Sequence, residues 1–145
     1  MILCKLAVLP ENATEIRRLG INRGPEGGIP NGPFVFNQLP FDMDRIDQEV
    51  TLGTTEAWTV GSGDVISHSF HIHGVQARLV ARNGDPAKVG DWEKGWKDTF
   101  FIPRGQNVTF VTRYDETADA RYPFMFHCHM IKHEDQGLMG QFTVE

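Results

Sequence analysis

From Pro33 onward, apolar and polar positions alternate in short runs rather than recurring every three or four residues. PFVFN at 33–37, EAWTVGS at 56–62, QARLVAR at 76–82, DTFFIP at 98–103, NVTFVTRY at 107–114 and GQFTVE at 140–145 are rich in Val, Phe, Thr and Trp. This pattern predicts strands. In the fifth run, Val108, Phe110 and Thr112 fall on one face and Asn107, Thr109 and Val111 on the other. Turn signals separate the runs at Asn83-Gly84-Asp85-Pro86, at Pro103-Arg104-Gly105 and around Asp115–Asp119. No stretch of twelve residues carries a helical stripe. Seven or more strands at this spacing predict an all-β, Greek-key β-sandwich.

The first part of the chain reads differently. MILCKLAVL is short and apolar, with Lys5 in its middle, and lacks the basic start and small-residue cleavage site of a secretory signal. A buried or edge strand is expected there. Residues 20–33, GINRGPEGGIPNGP, hold five glycines and three prolines and predict an irregular connector. Residues 1–32 are therefore expected to link a preceding unit to a main domain at 33–145, and residues 1–20 to pack against something outside this chain.

Composition narrows the partners. At 145 residues and 16.4 kDa, the chain can bury one core. A net charge of −5 and a pI near 5.6 offer no basic surface for nucleic acid or anionic membrane. No apolar run approaches the ~20 residues of a membrane span.

The chemistry lies in the histidines. All six sit in two clusters: HSFHIH gives His68, His71 and His73, and HCHMIKH gives His127, His129 and His133 around Cys128. Packing histidines would not gather this way, so a metal site is expected. Strand parity sorts the donors. If 126–129 is extended, Cys128 faces one way and His127 and His129 the other. If 67–73 is extended, His68 opposes His71 and His73. Pairing the two strands with matching faces collects His68 and Cys128 on one side, and His71, His73, His127 and His129 on the other. His133, beyond the strand end, can return to the cysteine side. Two imidazoles and a thiolate with a weak or absent fourth ligand form the blue-copper arrangement. Zinc, the competitor, closes a tetrahedron with a fourth strong ligand, and no spare Cys or His remains there. The four other imidazoles can hold one copper or zinc, or form half of a cluster completed by another domain. A Cys4–Cys128 disulfide is not expected, because Cys128 is explained by its histidine neighbours and Cys4 reads as a small buried hydrophobe.

HSFHIHG and HCHMIKHEDQGLM resemble the two carboxy-terminal copper motifs of the multicopper oxidases, the family of laccases and bacterial copper-efflux oxidases. GWKDTFFIPRGQNV and FNQLPFDMDRID resemble the same domain of bacterial members. The resemblance covers residues 33–145 and implies a carboxy-terminal, cupredoxin-like domain. It implies that His68, Cys128 and His133 bind a type 1 copper, His71 a type 2 copper, and His73, His127 and His129 a type 3 pair. It further implies that electrons from a phenol-like or metal-ion reductant enter at the type 1 copper and pass through Cys128 to a trinuclear cluster that reduces O2 to water. Glu134 and Asp135 match acidic positions that relay protons, against the alternative of solvated loop charges. Asp64 matches a carboxylate used beside the type 1 site for substrate. A periplasmic or secreted location is implied in the same way.

The chain departs from a full family member in holding only half of the cluster histidines. Oxidase activity then needs an amino-terminal cupredoxin domain, on a longer polypeptide or another chain; a homo-oligomer lacks the missing ligands. The five methionines at 1, 43, 125, 130 and 139 do not cluster, which weakens a cuprous-oxidase reading. The rival readings are an autonomous type 1 electron-transfer protein, which needs no outer histidines, and a metal-storage module, which needs no His₂Cys set. In relatives with an axial methionine, that residue follows the type 1 histidine by five positions. Here that position is Leu138, so a type 1 copper without a thioether ligand is expected, with Met139 facing away.

Overall fold

The computed structural model describes residues 15–23, 34–63 and 66–145. Eleven strands among them form two sheets: β1 (Glu15–Arg23), β2 (Phe34–Phe36), β3 (Gln48–Val50), β4 (Thr55–Ser62), β5 (His68–Ile72), β6 (Ala77–Arg82), β7 (Trp96–Lys97), β8 (Thr99–Ile102), β9 (Asn107–Arg113), β10 (Phe124–Cys128) and β11 (Met139–Val144). One sheet has the order β2-β1-β4-β9-β6-β7, the other β3-β11-β10-β5-β8. From β2 onward the chain repeatedly crosses between the sheets, the Greek-key habit of a β-sandwich. The crossings bring β5 beside β10 in the second sheet, although more than 50 residues separate them. The six runs expected from alternation appear as β2, β4, β6, β8, β9 and β11. Among the described residues one helix accompanies them, the single turn α1 (Ile131–Asp135), with two short 3₁₀ turns at Pro86–Lys88 and Asp91–Glu93.

β1 reaches four residues into the glycine- and proline-rich stretch, where a connector was expected. Its parallel register with β4, from Glu15↔Glu56 to Ile21↔Ser62, explains why. Leu19 and Ile21 point into the core, while the intervening Gly20 uses its N–H to bond the Asn37 side chain at 2.8 Å. Tertiary pairing thus overrides the weak local preference of glycine for strand. MILCKLAVL, Cys4, Asp64 and residues 24–33 lie outside the described residues.

Between the sheets lies a largely aromatic core. Trp58, Phe70, Phe100, Phe110, Tyr114, Phe126 and Phe142 are all at most 2% exposed. Their contacts are edge-to-face or tilted more often than stacked, such as Trp58 on Phe126 at 6.1 Å and 76°, as ring quadrupoles favour. Gly140 makes room for this packing, since a Cβ there would stand 2.4 Å from the Phe126 ring. The expected alternation of β9 holds: Val108, Phe110 and Thr112 are buried inward, with the Thr112 hydroxyl donating to the Gln76 carbonyl at 3.0 Å.

Two nearly buried ion pairs lock the sandwich. Arg17 donates to the Glu56 carboxylate from Nε at 2.7 Å and Nη2 at 3.0 Å, and to Gln48 of the opposite sheet at 3.1 Å. Arg82 of β6 grips Glu93 through Nε at 2.9 Å and a second bond from Nη2. That guanidinium holds the Glu93 carboxyl below its usual range, helped by the Gly90 N–H. A depressed carboxylate stabilises the fold above its unfolded pKa and loses that contribution as pH falls through the folded value. Glu93→Gln should therefore cost about 1.5–3 kcal/mol near neutral pH. It should also flatten the loss of stability between neutral pH and the acid range, measured by urea unfolding across that range. An unchanged acid limb would show that Glu93 does not drive it.

Candidate metal centre

Antiparallel pairing of β10 with β5 sets the register of the site: Phe126↔Ile72, His127↔His71 and Cys128↔Phe70. Residues directly opposite each other share a face. Cys128 therefore turns inward with Phe70, and His127 turns outward with His71. His73 and His129 each lie one residue beyond a strand end, but the ladder continues through them: His73 N–H donates to the Met125 carbonyl at 2.9 Å and His129 N–H to the Ser69 carbonyl at 2.6 Å.

The inner set lies at one end of the sandwich. Cys128 Sγ is 3.8 Å from His68 Nδ1 and 3.4 Å from His133 Nδ1. All three side chains are buried, with His68 and Cys128 at 0% and His133 at 4% exposure. His133 returns to this face because α1 reverses the chain: its N–H donates to the Met130 carbonyl at 2.8 Å, and Gly137 at φ 87° ends the turn. Leu138 then donates its N–H to the His133 carbonyl and accepts one from Cys128, both at 3.0 Å. Leu138 is fully buried in the same core cluster as Cys128, whereas Met139 stands opposite His127 across β10 and β11. The thioether therefore belongs to the outer face. Cys128 is a free thiol, pushed above its usual pKa by burial, so metal binding there must displace a proton.

The outer set is more open. His71, His73 and His127 bring their donor atoms within 4.8 Å of one another, and His73 Nε2 lies 3.2 Å from His127 Nε2. His129 is outside that tight group; its ring is 5.4 Å from His71 and 5.5 Å from His127. His71 is aimed by β8, which places Nδ1 2.9 Å from Thr99 Oγ1 and 3.1 Å from the Asp98 carbonyl, leaving Nε2 for a ligand. His127 Nδ1 faces the Cys128 carbonyl at 3.3 Å and Glu134 Oε2 at 3.4 Å. Burial, then the neighbouring His71 and His127, lowers the His73 pKa; burial also lowers that of His127. Neutral imidazoles are the ligand form. Beside them is a depression of about 530 Å³ that includes His71, His73, Asp98 and Phe124 in its wall. Asp135 is exposed on the last turn of α1.

The donor sets fit copper. The inner one offers two imidazole nitrogens and one thiolate, and no further histidine, cysteine or carboxylate joins it among the described residues. Sequence parity put His68 and Cys128 on one face and His71, His73 and His127 on the other, and the same groups lie together here. It missed Thr99 and Asp98 as partners of His71, because only the β5–β8 register, His71↔Thr99, brings them together.

Comparison with known proteins gives the family. The "Multicopper oxidase" family profile matches residues 12–145. The multicopper oxidase mco of Staphylococcus aureus is 34% identical over 112 residues, covering 74% of this chain and 24% of that protein. The cell division protein FtsP of Escherichia coli K12 is 35% identical over 129 residues, covering 89% and 25%. Among solved structures, the laccase-like multi-copper oxidase CueO of Ochrobactrum sp. superposes with a TM-score of 0.80 at 32% identity, over 96% of this chain and 32% of that one. The Pediococcus acidilactici multi-copper oxidase gives 0.78 at 30% identity, over 100% and 29%. This chain thus spans about a quarter of the length of the curated relatives it matches. Two sheets of cupredoxin type, one Cys/His set and one histidine set on opposite faces of a strand pair, and a profile match along nearly the whole chain lead to one conclusion: the chain belongs to the multicopper oxidase family.

Proposed function

We propose that this chain is the carboxy-terminal cupredoxin domain of a copper-dependent oxidase, acting with an amino-terminal cupredoxin domain or chain that supplies the remaining ligands. One observation carries the reading: Cys128 reaches the inner donor set while its covalent neighbours His127 and His129 stand on the outer face. His68, Cys128 and His133 would hold a type 1 copper; His71, a type 2 copper; and His73, His127 and His129, a type 3 pair. Bound copper would supply the one-electron chemistry that reduces O2 to water.

Everything else is the work of the chain. The peptide links from Cys128 to His127 and His129 give single electrons a covalent path between the faces. Thr99 and the Asp98 carbonyl fix the His71 ring through Nδ1 and leave Nε2 as its remaining donor, the orienting role of partners behind a metal ligand. Glu134, 3.4 Å from His127 Nδ1 and 36% exposed, stands between the outer set and solvent, where it can hold and pass a proton. Buried walls around Cys128 exclude water from the electron-entry side. The reductant is a small phenol-like molecule or a metal ion, and the location is periplasmic or secreted. No helix among the described residues is long and apolar enough to cross a membrane. The relatives named as cell division proteins show that family membership alone does not fix an activity. In this chain the complete inner set together with the outer histidines favours oxidase chemistry. An autonomous electron carrier would use the inner set alone.

Copper titration should give an intense blue absorption at about one inner-site copper per chain, absent in Cys128→Ser. A colourless protein that prefers zinc would overturn the assignment. Oxygen uptake with a phenolic reductant should require the complementing amino-terminal domain. A blue protein that remains inert towards oxygen with that domain present would indicate a carrier instead. Thr99→Val should weaken metal binding by the outer histidines about tenfold while leaving the blue band intact, read by calorimetry and visible spectroscopy. Equal affinity would remove Thr99 from this role.

A further inference from the structure

Phe34 opens β2 immediately after the glycine- and proline-rich tract and is fully buried. Its ring lies 5.0 Å from the His68 ring at 83° and 4.7 Å from the His133 ring at 58°. Those two imidazoles are themselves 5.1 Å apart, and both turn Nδ1 towards Cys128 Sγ. Phe36, two residues along the same strand, packs instead on Phe126 at 5.1 Å and Phe70 at 5.9 Å, away from the donors. One aromatic side chain therefore braces two ligands that arrive from separate elements, β5 and α1.

We propose that Phe34 is a positioning residue of the inner site: its ring fixes the planes of His68 and His133, keeps water from the three donors and so raises the reduction potential of the copper they hold. The inference rests on the copper reading above. With two neutral imidazoles and one thiolate, the oxidised site carries one net positive charge and the reduced site none. An apolar wall disfavours the charged state, and water admitted in its place favours it. A truncated ring also frees both imidazoles to turn, which speeds loss of the metal.

The test uses the full chain loaded with copper and compares Phe34→Ala, Phe34→Leu and Phe36→Leu with the unaltered protein. Circular dichroism first establishes that each is folded. Redox titration of the blue band and the rate of copper removal by a chelator are then measured. In Phe34→Ala the balance between oxidised and reduced copper should move about tenfold towards oxidised, a fall of about 59 mV for one electron. Copper should leave about tenfold faster. Phe34→Leu should lie between, and Phe36→Leu should match the unaltered protein in both readings. If Phe34→Ala does not fold, Phe34→Leu against Phe36→Leu decides. Unchanged potential and copper loss in the Phe34 variants, or equal changes in Phe36→Leu, would overturn the role. An unaltered protein with no blue band would instead overturn the copper reading itself.

Discussion

The organisation of this molecule depends on the two-residue period of β10, held in register against β5. Side chains on a strand alternate sides, so Cys128 cannot face the same way as His127. Register then decides which residues of β5 join each side, and a slip by one would send His71 towards Phe126 and His68 away from the cysteine. The buried Phe70 and Ile72 oppose such a slip of β5, because moving them to the outer face would expose two large apolar side chains, and Phe126 opposes the equivalent slip of β10. The placing of the candidate donors is thus protected by ordinary hydrophobic burial. Donor residues and core residues share two strands and constrain one another.

Supporting elements add direction to this arrangement. α1 and the Gly137 turn bring His133 back to the inner side, and the paired Leu138 hydrogen bonds fasten that return to Cys128 itself. β8 aims His71. The Arg17–Glu56 pair reinforces the β1–β4 ladder and reaches Gln48 of the opposite sheet, and the Arg82–Glu93 pair ties β6 to the second 3₁₀ turn. Buried pairs of this kind contribute little net energy against a well-packed apolar alternative, yet breaking one strands a charge. Their value here lies in fixing which segments meet.

Much of this was legible in the sequence because the decisive signals are local. Alternation in 107–112 and in the other short runs marked strands, and parity within HSFHIH and HCH divided the donors before any partner strand was known. The expectation that Leu138 faces inward came from the resemblance to relatives with an axial methionine at that spacing, and parity then turned Met139 outward. What could not be read depends on distant register. Thr99 meets His71 through the β5–β8 ladder, and Phe34 reaches both imidazoles by packing across the sandwich. No spacing in the chain announces either contact. The length of β1 was hidden for a different reason: Gly20 looks like a breaker locally, but seven paired positions with β4 and the burial of Leu19 and Ile21 outweigh it.

The separation between His68 and Cys128 has a consequence for folding. They are 60 residues apart, yet their side chains meet at the end of the sandwich. An ion held by both closes a long loop between β5 and β10, and loop closure removes entropy from the unfolded chain much as a covalent clip does. Metal that binds the folded form alone also shifts the folding equilibrium by mass action. On the copper reading proposed above, such an ion would be a staple as well as a redox centre. The same three side chains that set the chemistry would slow the parting of the two central strands on which the whole sheet is built.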